Sequence, residues 1–198
     1  MRFIYTISLL LLISCKKDHS FIISGNLPDS KYNGEYIYKI PMEHYSKERV
    51  DSTLITNSSF EFKGSADSIE IFILRAQKSL SRFDLQDILI VSEPGNINVK
   101  LEERSSANGT ALNDSLQKWK EGKEKFDDSF YQLADEISKA DSLEKNIIQI
   151  KIDSLEQKNI NFHYNFVKDN QNNAVGKLIY KLMSHLFSND KKEKLQLK

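Results

Sequence analysis

Thr53-Leu54-Ile55-Thr56-Asn57-Ser58-Ser59-Phe60-Glu61-Phe62 is the stretch that decides the fold class. Its β-branched and aromatic residues lie on both sides of Asn57 and Ser58, two residue types that favour turns. Phe60 and Phe62 would point to one face of a strand, because successive side chains of a strand point to opposite faces. The stretch therefore predicts a β-hairpin with Asn57 and Ser58 at its turn.

Short segments of similar composition surround this stretch. Turn-forming residues separate them, and no stretch with helical periodicity lies between them. The predicted strands are residues 21–25, 36–40, 51–56, 59–63, 69–74, 87–91 and 97–101. About seven strands at this spacing predict an N-terminal antiparallel β-sandwich or curved sheet over residues 21–105.

The periodicity becomes helical after Thr110. Apolar residues recur every three or four positions up to Ala140 and again between Ile148 and Phe166, and Asp141 or Ser142 can cap the second of these helices. A third helix is predicted around residues 174–187, before a polar tail at residues 189–198. The predicted fold class is therefore α+β, with a long helical hairpin and a third helix over residues 106–188. We expect their apolar stripes to pack on each other and on the sheet, with an open groove for a partner as the alternative.

Residues 1–14 have the composition of a targeting segment. Arg2 precedes a largely apolar run that is too short to cross a bilayer but long enough for the core of a signal peptide. The run ends in Leu12-Ile13-Ser14-Cys15, which resembles the lipobox of bacterial lipoproteins. The resemblance implies cleavage between Ser14 and Cys15, lipid on the Cys15 thiol, and a tether over residues 15–20. An ordinary signal peptide or a buried N-terminal helix is the alternative.

Charge and cysteine content narrow the classes of function. The chain has 28 cationic and 28 anionic residues, so loss of Arg2 with the signal peptide would leave a net charge of −1. Such a balance gives no overall attraction to nucleic acid, and we expect no nucleic-acid partner. Cys15 is the only cysteine, and its lipidation would leave no thiol for disulfides, thiolate catalysis or metal binding.

No motif in the sequence indicates a catalytic or cofactor site. A glycine-rich phosphate loop, a nucleophile elbow and a metalloprotease motif are all missing. The four histidines, His19, His44, His163 and His185, lack metal-ligand spacing, and we expect a structural or solvated role for His163. We predict no catalytic residue, no metal and no cofactor. A hydrolase with a dispersed site stays an alternative, because such a site needs proximity in space and not in sequence.

A short pattern, Asp-Ser followed by an apolar residue or threonine, recurs along the chain. It is similar to a three-residue O-glycosylation signal that some bacteria use on envelope proteins. The structural alternative is that Asp and Ser favour turns and helix starts. The candidate glycosylation sites are Ser52, Ser68, Ser115, Ser142 and Ser154.

Six stretches in the chain resemble, in their order and spacing, a family of uncharacterised N-terminal domains. That domain precedes thioredoxin-like or peroxiredoxin-like modules in bacterial envelope lipoproteins. The stretches are Phe21-Ile22-Ile23-Ser24-Gly25, Gly34-Glu35-Tyr36-Ile37-Tyr38, Val50-Asp51-Ser52-Thr53, Phe60-Glu61-Phe62-Lys63-Gly64, Glu93-Pro94-Gly95-Asn96-Ile97-Asn98-Val99 and Gly109-Thr110-Ala111-Leu112-Asn113-Asp114. The resemblance covers roughly residues 20–187 and implies the fold, an envelope location and a binding or positioning role that is undefined in the family.

The catalytic work of that family belongs to the thioredoxin-like module. We expect this module to be missing here, because the chain ends at Lys198 without a second cysteine, and a shortened relic of a longer gene is one explanation. The expected function is a non-catalytic binding or interaction module, lipid-anchored in the cell envelope at the outer membrane, with a protein partner in the envelope. An accessory role in envelope thiol-disulfide or peroxide metabolism, beside a separate thioredoxin-like protein, is the second hypothesis.

Overall fold

Eight strands in two four-stranded sheets form the first part of the protein. The computed structural model describes residues 19–78 and 84–195. Within these residues the strands are β1 Ser20–Asn26, β2 Tyr36–Pro41, β3 Asp51–Leu54, β4 Ser59–Ser65, β5 Ile71–Ala76, β6 Ile88–Val91, β7 Gly95–Lys100 and β8 Ser106–Asn108. The strand order is β4-β1-β7-β8 in sheet A and β3-β2-β5-β6 in sheet B. The predicted β-sandwich is confirmed, with one strand more than expected.

Two details of the sheets differ from the prediction. β1 and β7 pair in parallel, with Phe21 beside Gly95, whereas every other neighbouring pair is antiparallel. β8 was not predicted, because its three residues are too few and too polar to give a period-two pattern. It extends sheet A past residue 105, where we expected the β region to end.

The predicted hairpin at residues 53–62 is wrong in its pairing, although its turn is correct. Asn57 and Ser58 both have left-handed backbone conformations, with φ of 52° and 55°. The flanking strands nevertheless belong to different sheets, since β3 pairs with β2 and β4 pairs with β1. A single bridge joins Thr56 and Ser59. The turn therefore carries the chain from one sheet to the other, and the buried side chain of Ile55 holds this crossing in the core.

Four α-helices follow the strands within the described residues, and a 3-10 turn at Ser184–Leu186 follows the third of them. They are α1 Ala111–Lys139, α2 Ser142–Asp169, α3 Ala174–Met183 and the short α4 Asn189–Glu193. The predicted cap is confirmed at Asp141, which accepts hydrogen bonds from the backbone N–H groups of Leu143 and Glu144. α4 lies in the segment expected to be a polar tail. No helix among the described residues has the length and apolar character needed to span a bilayer.

The start of α1 closes one side of the sandwich by pairing with an edge strand of each sheet. The buried Asn113 side chain accepts a hydrogen bond from Val91 N–H at 2.9 Å and donates one to Val91 C=O at 2.9 Å, at the edge of sheet B. One helical turn later, Gln117 Oε1 accepts a hydrogen bond from Ala107 N–H at 3.0 Å, at the edge of sheet A. These amides occupy backbone groups that would otherwise remain open for pairing with another chain.

The sandwich has two ends, which are defined here by the strands and turns that lie at each. β1 begins at the same end as the start of β7, the end of β2 and the loop before β5, and we call this the N-terminal end. At the opposite end, the bidentate ion pair between Arg104 and Asp128 ties the β7–β8 turn to α1. α1 continues for eleven residues beyond Asp128, which is about 16 Å of helix. The α1–α2 hairpin therefore projects away from the N-terminal end.

Candidate functional site

A groove with a volume of about 670 Å³ opens at the N-terminal end, between sheet B and α3. We call it the α3 groove. Its apolar lining consists of Pro41, Met42, Ile69, Ile71, Ala174, Leu178 and Leu182. Its charged and imidazole groups are Glu43, His44, Arg49, Glu70, Lys177 and Lys181. The volume is that of sites that bind small molecules, and the lining combines seven apolar residues with nine polar or charged ones.

Arg49 builds the sheet side of this groove. Its guanidinium pairs with Glu70 at 2.8 Å and donates further hydrogen bonds to the backbone carbonyls of Glu43 and His44, at 3.0 and 3.2 Å. These contacts close the loop after β2, in which His44 has a φ of 49°. Three of the five guanidinium N–H groups donate to these partners and the charge is paired with Glu70, so Arg49 shapes the wall of the groove.

The helix side of the groove is fixed where α2 meets α3. Asn173 caps α3 by accepting a hydrogen bond from Gly176 N–H at 3.0 Å, and its amide donates to Asn170 Oδ1 at 3.0 Å. Ser115 on α1 also donates to Asn170 Oδ1, at 3.2 Å. A side chain at Gly176 would overlap the carbonyl of Asn170, so only glycine allows this close junction. The first turn of α3 is thereby held rigidly against the other helices.

Two lysines one turn apart on α3 line the groove, and they differ in their partners. Lys181 lies 3.5 Å from Glu43, across the groove. Lys177 forms no ion pair with any residue in the part of the chain that the structure describes. The carboxylates of the groove, Glu43 and Glu70, face cations and not each other. The groove thus combines an apolar floor with one cation whose charge is not neutralised.

His163 lies in the helical core and not in the groove. It is 1% exposed, and its Nδ1 accepts a hydrogen bond from Trp119 Nε1 at 3.0 Å, which joins α1 to α2. Burial, with a smaller contribution from the positive charge of Lys123, lowers the pKa of His163 to about 4. The imidazole is therefore neutral at pH 7 and acts as a packed hydrogen-bond acceptor.

The four histidines differ in their burial. His163 is enclosed by the helices, whereas His19, His44 and His185 are exposed, and the charge of His185 contributes, beside burial, to the lowered pKa of His163. Over residues 19–78 and 84–195, no three His, Cys, Asp or Glu side chains are grouped so that they could hold a metal ion.

The sequence-predicted sites fall into two groups. Ser14 and Cys15, the expected cleavage and lipidation site, lie outside the described residues. The five candidate glycosylation sites are spread over the surface. Ser52 lies on β3, Ser68 before β5, Ser142 at the start of α2 and Ser154 within α2, all exposed, whereas Ser115 on α1 is half-buried. Glycosylation at these serines stays a prediction.

Comparison with known proteins identifies a domain family over the sandwich. The model of the family described as Domain of unknown function (DUF4369) matches residues 21–116, which comprise the strands from β1 onward and the first turns of α1. Neither curated proteins nor solved structures give a significant match. Over residues 21–116 the chain therefore matches an uncharacterised domain family, as the sequence resemblance predicted, whereas the resemblance was expected to extend to about residue 187.

Proposed function

We propose that this protein is a lipid-anchored protein of the cell envelope, held at the outer membrane by Cys15, and that it binds an anionic ligand with an apolar body in the α3 groove without catalysing a reaction. The binding proposal rests on one observation. The apolar residues of the α3 groove lie in the same lining as Lys177, which forms no ion pair among the described residues. A ligand of this kind would bury apolar surface against the floor and place its anionic group beside the ammonium.

The position of the groove agrees with the proposed anchor. β1 begins at Ser20, five residues after Cys15, and an extended chain of that length spans roughly 17 Å. A lipid on Cys15 would therefore hold the N-terminal end of the sandwich close to the membrane surface. Because the α3 groove opens at this end, its ligand would be met at or near the membrane.

Binding can be tested with the fluorescent probe anilinonaphthalene sulfonate, which combines an apolar ring system with a fixed negative charge. We expect saturable binding of one probe per protein, and a dissociation constant about tenfold higher for Lys177→Glu, which places a repelling charge at the groove. Lys118→Glu is the matched control, because it reverses the charge of an exposed lysine on α1 outside the groove. Equal affinity of the two variants, or no saturable binding by the unmodified protein, would exclude this site.

The anchor can be tested separately by phase partitioning in a detergent that demixes on warming. The protein expressed with its signal peptide in a lipoprotein-processing bacterium should enter the detergent phase, and Cys15→Ser should remain in the aqueous phase or stay unprocessed. Recovery of both forms in the aqueous phase would contradict lipidation.

A further inference from the structure

The projecting part of α2 has apolar residues on two faces. The inner face, which includes the buried Ile148, packs against α1. The outer face carries Leu143, Ile147 and Ile150, which are 72%, 53% and 69% exposed. Their spacing of four and three residues places all three on one side of the helix. A helix that is apolar on two opposite sides is normally covered on both.

The outer apolar face has the spacing of a coiled-coil seam over one heptad. In the heptad repeat of such a structure, the seam positions a and d alternate at intervals of three and four residues. With Ile147 at a, the seam contains Leu143 and Ile150 at d, and it ends at the polar Ser154 of the next a position. A glycan on Ser154 would be incompatible with this seam. Isoleucine at position a with leucine at position d, as at Ile147 and Leu143, is the combination that favours two-stranded seams.

Charged residues flank this seam in a complementary way. In the same heptad numbering Asp153 occupies position g and Lys158 occupies position e of the following heptad, the two positions that pair between parallel helices. Both side chains are exposed, and neither forms an ion pair within residues 19–78 and 84–195. A second α2, parallel and in register, would place each Asp153 opposite the Lys158 of the other helix.

We propose that the outer face of α2 is covered by the same face of a second copy of this chain, which forms a parallel, twofold-symmetric dimer. Its axis would run along the projecting hairpin, so both N-terminal ends would lie at the same end of the dimer. This is the symmetry that two copies anchored in one membrane require, and this agreement rests on the proposed lipid anchor. The short seam gives a weak dimer in solution, and anchoring in one membrane raises the effective concentration.

The dimer can be tested by cysteine cross-linking, because lipidation of Cys15 leaves no other thiol in the chain. Ile150→Cys places a thiol at the seam, and Tyr131→Cys is the matched control, since Tyr131 is 76% exposed on α1 of the same hairpin. In cell envelopes under mild oxidation, we expect disulfide-linked dimer from Ile150→Cys at a level at least about fivefold above Tyr131→Cys, because seam positions bring the two Cα atoms within bonding range.

A charge-reversal pair tests the register of the helices. Asp153→Lys in the Ile150→Cys background should reduce cross-linking about threefold, and adding Lys158→Asp should restore it. Cross-linking of Ile150→Cys no stronger than that of Tyr131→Cys would overturn the dimer, and unrestored cross-linking would overturn the parallel register. Detergent partitioning of the same samples reports the anchor independently, so failure of the proposed function and failure of the dimer give different results.

Discussion

The buried pair of Trp119 and His163 makes the stability of the helices depend on pH. The pKa of His163 is lowered to about 4 in the folded protein, against 6.5 for an exposed histidine. Between these values the unfolded chain binds a proton that the folded protein excludes, so the free energy of unfolding decreases as the pH falls from 6.5 to 4. The pKa difference corresponds to a loss of about 3 kcal/mol by pH 4, a large share of the 5–15 kcal/mol typical of a domain. Below pH 4 this contribution levels off.

Urea unfolding measured by tryptophan fluorescence can follow this loss directly. Trp119 is the only tryptophan of the chain and donates its indole N–H to His163, so the reporter lies at the titrating group. His163→Gln keeps an acceptor for the indole but cannot gain a proton at these pH values. We expect a lower free energy of unfolding for this variant at pH 7. Between pH 6.5 and 4, its free energy of unfolding should decrease by about 3 kcal/mol less than that of the unmodified protein.

His44→Asn is the control for this experiment. It removes an exposed imidazole, and asparagine tolerates the left-handed backbone that His44 adopts. Its pH profile should match that of the unmodified protein. The carboxylates of Asp84 and Asp128, whose pKa values are lowered by hydrogen bonds from Tyr32 and Arg104, contribute stability that is lost only at lower pH, below 3.8. Equal pH slopes in the unmodified protein and His163→Gln would refute the reasoning.

Three further predictions follow from single side chains. Asn113→Ala should lower the free energy of unfolding by about 2–3 kcal/mol in chemical denaturation, because the N–H and C=O of Val91 lose their partner in a buried place. Gly122→Ala should destabilise by about 1–3 kcal/mol, because a Cβ there overlaps the ring of Phe162. Intact-mass and peptide analysis of the native protein should find Ser115 unmodified even if the exposed candidate serines carry glycans, since this side chain is half-buried and hydrogen-bonded.

Each of these predictions has an outcome that contradicts it. Gln132→Ala on the exposed part of α1 is the control for Asn113→Ala, and an equal loss of stability in both would exclude the edge-closing role. Alanine normally stabilises a helix by about 1 kcal/mol relative to glycine, so a more stable Gly122→Ala would show that the helices do not meet closely there. A glycan on Ser115 would contradict the burial of that side chain.

Local sequence patterns predicted most of the elements. Alternating apolar residues identified the strands, the three-to-four spacing identified α1 and α2, and Asp141 was one of the two residues expected to cap α2. These features depend on residues close together in the chain. The pairing across the Asn57 turn was not predictable in this way, because a turn conformation does not determine whether the next strand joins the same sheet or the opposite one.

The candidate site depended on contacts that the sequence does not reveal. Arg49 and Glu70 are 21 residues apart, and Lys181 is 138 residues from Glu43. None of these residues belongs to a recognisable motif, so the α3 groove was not predicted. The role of Asn113 was not predicted either, because it depends on contact with Val91 at a strand edge, 22 residues earlier in the chain. One local pattern does indicate the outer face of α2. Ile147 and Ile150 are apolar residues of this helix that lie outside the stripe packed against α1.

The most direct test of the proposed function is a map of the ligand site by NMR. Titration of the isotope-labelled protein with decanoate, an apolar chain with a carboxylate, should shift the backbone amide signals of residues 42–49, 68–71 and 174–182 in a saturable way. The signals of the projecting hairpin should remain in place, and Lys177→Glu should weaken the response. Shifts confined to other surfaces, or no saturable shifts at all, would contradict the α3 groove as the binding site.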